Sequence, residues 1–414
     1  MTGRMGSVFG AMLAAGVVGF AGLWPAPASA QAQPAEVKVA VIAPLSGPWA
    51  RQGDLVRMGV EMAIDDINRA GGIKALGGAK MQAIIADAGD NAEKAKNAAQ
   101  RLLAQEPDLV GGTGAWLSSF TLAVTEVTER AELPWLTLSY SDQLTDRGFR
   151  YIFQTSPIGT AQAEMALPTV LALAQSATGR KPASTAIIMD NTASSVSFAK
   201  GIRPGLEREG IKLVVDETFT PPLSDATPLV QKVRSARPDF LFLLPTAVPD
   251  DKLILEKLSE MGLSRGRLPV VGNGAHMGSP ELLKAAGKEV MEGVLVTLAN
   301  WGVKGQEELI AAFKKRTGEP WLTQDSLSPY GHVWILKEAL ERAGVADRRK
   351  VAEAIRTMDT TEGPAHFFPG GRLKFDEKGR RVGAPLLIVQ WRDGEPIAVY
   401  PPEVAAAQPV WTKQ

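Results

Sequence analysis

Strand-like and helix-like runs alternate along this chain in two successive series, and that order limits the possible folds more than any other feature. VKVAVIAPL is short, β-branched and ended by Pro44 and Gly47, which reads as a buried strand. DLVRMGVEMAIDDINRA (54–70) has apolar residues at helical spacing and stops at Gly71-Gly72. AKMQAIIADAG, DLVGGTG and LPWLTLSYS are further strands, separated by the helical NAEKAKNAAQRLLAQ and SSFTLAVTEVTERA. Around Thr155 the pattern restarts, with STAIIMD, KLVVDETF, DFLFLLP and LPVVGNG as strands between helices. Two βαβα series imply an α/β fold of two doubly wound parallel-sheet lobes with helices on both faces. The last stretch, RLKFDEKGRRVGAPLLIVQWRDGEPIAVYPP, changes character and reads as a hairpin added to one lobe.

Open parallel sheets bind ligands at the carboxyl ends of their strands. The loops expected there are LSGPWARQGD, GTGAWLSSF and SYSDQL in the first series, and DNTASSVSF, PTAVPDD and GNGAHMGS in the second. They are rich in Ser, Thr, Asn and aromatics and poor in charge, which suits a small polar or aromatic molecule. Within GGTGAWLSSFT, two serines stand where a helix begins. Ser118 or Ser119 either caps that helix or, with its free N–H groups, holds an anion.

Composition removes several classes. Lys plus Arg and Asp plus Glu each number 45, so net charge gives no reason to expect nucleic acid or an anionic membrane as partner. Cysteine is absent, which removes disulfides, thiol catalysis and cysteine-ligated metal. His276, His332 and His366 have no metal-ligand spacing, and Ser118-Ser119 lacks a GxSxG elbow. Asp87 and Asp90 in DAGDN offer either a metal pair or a strand end and helix cap, and capping preference favours the second. No enzyme, metal or cofactor is expected, although an exported hydrolase stays open.

The N-terminus sets the compartment. One cation, Arg4, precedes an apolar run ending in Ala28-Ser29-Ala30, the order of a secretory signal cleaved after Ala30. Without a cysteine at that point there is no lipid anchor, so the mature chain is expected free in the periplasm.

These runs together resemble the periplasmic branched-chain amino-acid-binding family, the type I solute-binding proteins of ABC uptake systems. VKVAVIAPLSGPWARQGDLVRMGVEMAIDDINRAGGIKALGG is similar to the family's opening, GTGAWLSSFTLAVTEVTERAELPWLTLSYSDQLTDRGFRYIFQTSP to its serine loop, and LKFDEKGRRVGAPLLIVQW to its closing hairpin. The resemblance implies two lobes joined by three crossings that close on a ligand by hinge motion. Lobe 1 would comprise 37–156 and 300–371, lobe 2 157–299 and 372–400, with 401–414 as a tail. It also implies a monomer that delivers its small-molecule ligand to an ABC permease, or a sensory module of the same fold.

Carried over by position, Ser118 or Ser119 falls on the family's carboxylate-binding serine, and Ser139 and Ser141 on the pair facing the ligand's ammonium. Trp49, Gln52, Trp116, Tyr140, Asn191, Asn273 and His276 complete the candidate site. Two departures stand out. Gln52 occupies the place of a family tyrosine. Asn273 or Gly274 takes the place of the acid that pairs with an α-ammonium, and no carboxylate occurs between Val270 and Ser279. Tight binding of leucine, isoleucine or valine is therefore not expected, unless Asp190, Asp250 or Asp251 compensates. Trp116 and Tyr140 would instead stack on a planar, neutral or anionic ligand.

Overall fold

The computed structural model describes residues 35–411, together with Gly10. The signal segment expected over 1–30 therefore lies, Gly10 apart, outside the described residues. The first sheet is built from β1 (Glu36–Ala43), β2 (Lys80–Asp87), β3 (Gly111–Gly114), β4 (Trp135–Thr137) and β5 (Ile152–Gln154). Its connections are α1 (Ala50–Arg69), α2 (Ala92–Gln105), α3 (Ser118–Arg130) and the single turn α4 (Gln143–Asp146). The strands lie in the order β2-β1-β3-β4-β5, and every pair is parallel. Val39 to Ala43 are all buried, because helices cover both faces of a parallel sheet.

The chain then crosses to a second sheet through α5 (Gly159–Thr178), β6 (Ser184–Asp190), α6 (Ala193–Glu209), β7 (Lys212–Phe219), α7 (Thr227–Ala236) and β8 (Phe240–Leu244). It continues through α8 (Val248–Glu260), β9 (Val270–Asn273), α9 (Pro280–Ala286), α10 (Lys288–Met291) and β10 (Leu295–Leu298). A second crossing leads back to α11 (Glu307–Thr317), α12 (Gln324–Ala343), α13 (Arg348–Arg356) and the two-residue strands β11 (Asp359–Thr360) and β12 (Leu373–Lys374). A third returns the chain to the hairpin β13 (Leu387–Arg392) and β14 (Glu395–Tyr400), which extends the second sheet antiparallel beside β10.

Each sheet has its own core. Leu327, Val333 and Leu336 of α12 pack with the strands of the first sheet, while Leu387, Val389 and Trp391 pack with those of the second. Leu373 and Phe375 belong to the first core, and Arg381 donates to the carbonyl of Thr155. The chain thus stays with the first lobe past the expected return at 372. The closing segment reads as one hairpin in sequence, yet Leu373 and Phe375 pack in the first core and Leu387, Val389 and Trp391 in the second.

Asp87 and Asp90 both have protein partners. Asp87 accepts the N–H groups of Leu45 and Gly89, Asp90 pairs with Lys94, and Asn91 caps α2. No helix among the described residues is long and apolar enough to cross a membrane.

Candidate functional site

A cleft enclosing about 410 Å³ of empty space, its mouth included, lies between the two sheets. Its walls are the loops that follow β3 and β4 on one side and β6, β8 and β9 on the other, closed at one end by the start of α12.

The first-lobe wall begins with a forced turn. Gly114 has φ +112°, and a Cβ there would sit 2.1 Å from the carbonyl oxygen of Ile42. Ala115 and Trp116 follow with φ 59° and 41°, both in the left-handed region. Such a conformation costs about 1–3 kcal/mol per residue and persists only where the surroundings hold it. Here the Ser139 hydroxyl donates to the carbonyl of Trp116 at 2.7 Å and meets Thr121 Oγ1 at 2.8 Å. Ser139 therefore braces the turn.

The turn delivers the start of α3 into the cleft. Its N-cap is Leu117, with no side chain bonded to the helix, so neither serine is a cap. Ser118 Oγ instead accepts the backbone N–H groups of Tyr140 and Ser141, each at 3.1 Å. With its acceptor side filled, the hydroxyl hydrogen is free to donate. Phe120 and Thr121 donate to the carbonyl of Leu117, which leaves the amides of Ser118 and Ser119 as the first of α3 without an intrahelical acceptor, and the helix dipole favours negative charge beside them. Ser119 Oγ lies 3.3 Å from the N–H of Ala193 at the start of α6, which links the lobes.

The second-lobe wall is held by buried acids. Asp190 accepts four hydrogen bonds, from the N–H and hydroxyl of both Thr192 and Thr246, and so ties two loops together. Asp250 accepts from the N–H of Leu223. The amide of Asn273 is used within the wall, donating to Gln162 and Thr297. Gly274, at φ +107°, leaves room for the ring of His276, which a Cβ would meet at 2.7 Å. His276 Nε2 lies 3.1 Å from both the carbonyl oxygen of Pro245 and Asp251 Oδ2. Burial works against an imidazolium here, but the charge and hydrogen bond of Asp251 outweigh it and raise the pKa of His276. Burial raises Asp251 to about 6 against the opposing pull of His276.

The end of the cleft comes from α12. Gln324 Oε1 accepts from the Tyr140 hydroxyl at 2.9 Å and from the N–H groups of Ala299 and Asn300 at 2.8 and 3.0 Å. It joins the β4 loop to the second crossing. Asp325 is 1% exposed. Its Oδ1 accepts the indole N–H of Trp116 at 2.8 Å, and its Oδ2 has no partner. Burial raises its pKa to about 6, while the bond from Trp116 and the charge of His276 pull the other way.

Of the residues expected from sequence, Trp116, Ser118, Ser139, Tyr140, Asn273 and His276 line the cleft. Ser119 and Ser141 adjoin it at the lobe contact, where Ser141 Oγ meets Ser197 Oγ at 3.3 Å. Trp49 packs edge-on against Phe120, and Gln52 is fully buried behind the wall. Asn191 points away and bonds to Thr220. The rings of Trp116 and His276 are perpendicular, with centroids 6.0 Å apart. Ser194, Ser195 and Thr246 line the cleft from loops that the strand-end rule does identify. Gln324 and Asp325 were missed, because the helix that carries them follows no strand. Asp325 is an acid in the lining beyond Asp190, Asp250 and Asp251, the three weighed from sequence as compensating.

Among known proteins, the family described as periplasmic binding protein matches residues 36–396. The Leu/Ile/Val-binding protein homolog 7 of Brucella melitensis is 29% identical over 392 residues, covering 92% of this chain and 94% of the relative. A leucine-binding protein from Thermotoga maritima has a similar fold, with a TM-score of 0.75 and 21% identity over 87% of this chain and 97% of its own. So does a solute-binding protein of an ABC transporter from Rhodopseudomonas palustris, solved with 3,4-dihydroxybenzoic acid, with a TM-score of 0.73 and 20% identity over 87% and 95% of the two chains.

Proposed function

The chain belongs to the periplasmic binding protein family, and from that premise we propose that it is the exported solute-binding component of an ABC uptake system. It takes a small organic ligand bearing a carboxylate or amide, holds it between the lobes, and releases it unchanged to a membrane permease. The observation that carries this reading is Ser118. Its oxygen is held by two backbone N–H groups, so its own hydrogen and the uncapped first turn of α3 together offer donors to one anionic or carbonyl oxygen. Leucine and 3,4-dihydroxybenzoic acid, named with two of the structural relatives, both carry a carboxylate. The lobes would be 37–156 with the return segment from 300, and 157–299 with the closing hairpin, the third crossing lying beyond Arg381.

Thermal shift with amino acids, aromatic acids, amides and aliphatic acids identifies the class, because a ligand of the folded state raises its apparent stability. Calorimetry on the best of them then tests the site. A hydrogen bond to a charged group contributes about 1.5–3 kcal/mol, so Ser118→Ala is expected to weaken a carboxylate roughly ten- to a hundredfold. A panel without any stabilising compound, or a carboxylate indifferent to Ser118→Ala, refutes the reading.

A further inference from the structure

Asp325 is a carboxylate in the lining of the cleft with one oxygen unpartnered; Asp250, outside that lining, likewise leaves its Oδ2 without a partner. Asp251 has His276 beside it at 3.1 Å, and the two oxygens of Asp190 share four donors. Arg51, the cation whose charge acts on Asp325, is itself held by Glu281 and Glu319. Asp325 lines the cleft, is 1% exposed, and meets only the neutral indole of Trp116. A buried carboxylate without a cation or full hydrogen bonding is costly, and a native site that keeps one calls for an explanation.

A second feature lies at the same end. The starts of α1 and α12 touch, since Ser326 Oγ donates to the carbonyl of Leu55 at 2.8 Å and Gly59 leaves no room for a Cβ against Ser326. Gln52 stands one turn before Leu55 and Val56 on α1. It is fully buried, and neither its amide oxygen nor its nitrogen has a partner. The hydroxyl of Thr323, two residues before Asp325, is likewise buried and unpartnered. Unmet polar groups, donors as well as acceptors, therefore lie at the starts of α1 and α12.

We infer that Asp325 is the specificity-determining residue of this cleft, and that it selects a ligand carrying a protonated nitrogen. The inference rests on the solute-binding reading above and adds the ligand's second functional group. An ammonium has three donors and no acceptor, which suits Asp325 Oδ2, an acceptor in the lining without a partner. A methyl or carboxylate in the same place would leave the acid unmatched or repelled.

Matched pairs of acids with and without an amine test this directly: leucine against 4-methylpentanoate, 6-aminohexanoate against hexanoate, and 4-(aminomethyl)benzoate against 4-methylbenzoate. Calorimetry at pH 7.5 is expected to show at least a tenfold preference for the amine in the pair that fits, and Asp325→Asn is expected to bring that ratio near one. Equal binding within every pair, or a preference that survives Asp325→Asn, overturns the role of Asp325 and leaves solute binding standing. Failure of every compound to bind removes both. The wild type gives a readout that does not depend on the variant folding. The preference is expected to fall between pH 7.5 and 5 as Asp325 takes up a proton. Arg51 and Tyr140 do not titrate in that range, but Asp251, raised to about 6 and paired with His276, takes up its proton there and lowers the preference in the same direction. A fall is therefore required by the assignment, and a preference that is flat with pH overturns it.

Discussion

Trp116 donates its indole N–H to Asp325 across 2.8 Å, joining the strained turn after β3 to the first turn of α12, 209 residues further on. Both partners are buried, and the bond uses only one of the two carboxylate oxygens. A site that keeps such a group gives up stability for recognition. The cleft thus contains a buried carboxylate with one oxygen unmatched.

That cost can be measured. Burial raises Asp325 to about 6, above the ordinary carboxylate value of 3.8. A raised carboxylate binds its proton more tightly folded than unfolded, so the penalty is full above pH 6 and fades as pH falls toward 4. Asp325→Asn keeps an oxygen for Trp116 and removes the charge. It is expected to stabilise the ligand-free protein by at most about 3 kcal/mol at pH 7.5, and by about half that at pH 5, since opening of the lobes rehydrates the carboxylate. Urea unfolding of both proteins at the two pH values decides it. A variant less stable than wild type at pH 7.5 would show that the carboxylate is well accommodated.

The sequence made the strands legible because a parallel strand covered on both faces carries an unbroken apolar run, as AIIM does within STAIIMD, which is β6 residue for residue. It made the cleft loops legible because they follow strands. Two things escaped. The start of α12 reaches the cleft through a crossing rather than from a strand, so no local pattern marks Asp325. Nor does local pattern assign a hydroxyl's partner: Ser118 looks like a cap in sequence, yet it is bonded to Tyr140 and Ser141. The expectation of weak branched-chain amino-acid binding rested on the missing acid near Asn273, with compensation left open to Asp190, Asp250 or Asp251; Asp325 joins those acids, and binding measurements decide.

His332 has the opposite titration. Its ring nitrogens each lie 2.7 Å from a threonine hydroxyl, Thr113 on β3 and Thr155 at the first crossing. Burial lowers its pKa to about 3. The folded state then binds fewer protons than the unfolded one, so this contribution is full above about pH 6.5 and is lost as pH falls toward 3. The slope is about 1.4 kcal/mol per pH unit inside that window. His332→Gln should be less stable than wild type at pH 7.5, with the gap closing as the solution is acidified to pH 4. A constant gap in the urea midpoints would mean that the imidazole titrates normally.

The lobes also meet through Arg51 at the start of α1 and Glu281 on α9, at 2.7 Å. Leu282 packs in the second core and Val56 in the first, so this pair spans the cleft. It exists only when the lobes are together, and an interaction present in one of two states shifts the balance toward that state by its own free energy. The arginine is a quarter exposed and the glutamate more so, which keeps the pair weak. Exposed pairs contribute about 0.2–1 kcal/mol, or up to roughly fivefold in an equilibrium constant. Glu281→Gln is therefore expected to speed ligand release by up to that factor at low salt, with the difference shrinking at high salt as screening shortens. Small-angle scattering should show the free variant at least as extended as the wild type, and both proteins compacting at saturating ligand. Release rates that match the wild type at every salt concentration would remove Arg51 and Glu281 from the closing of the cleft.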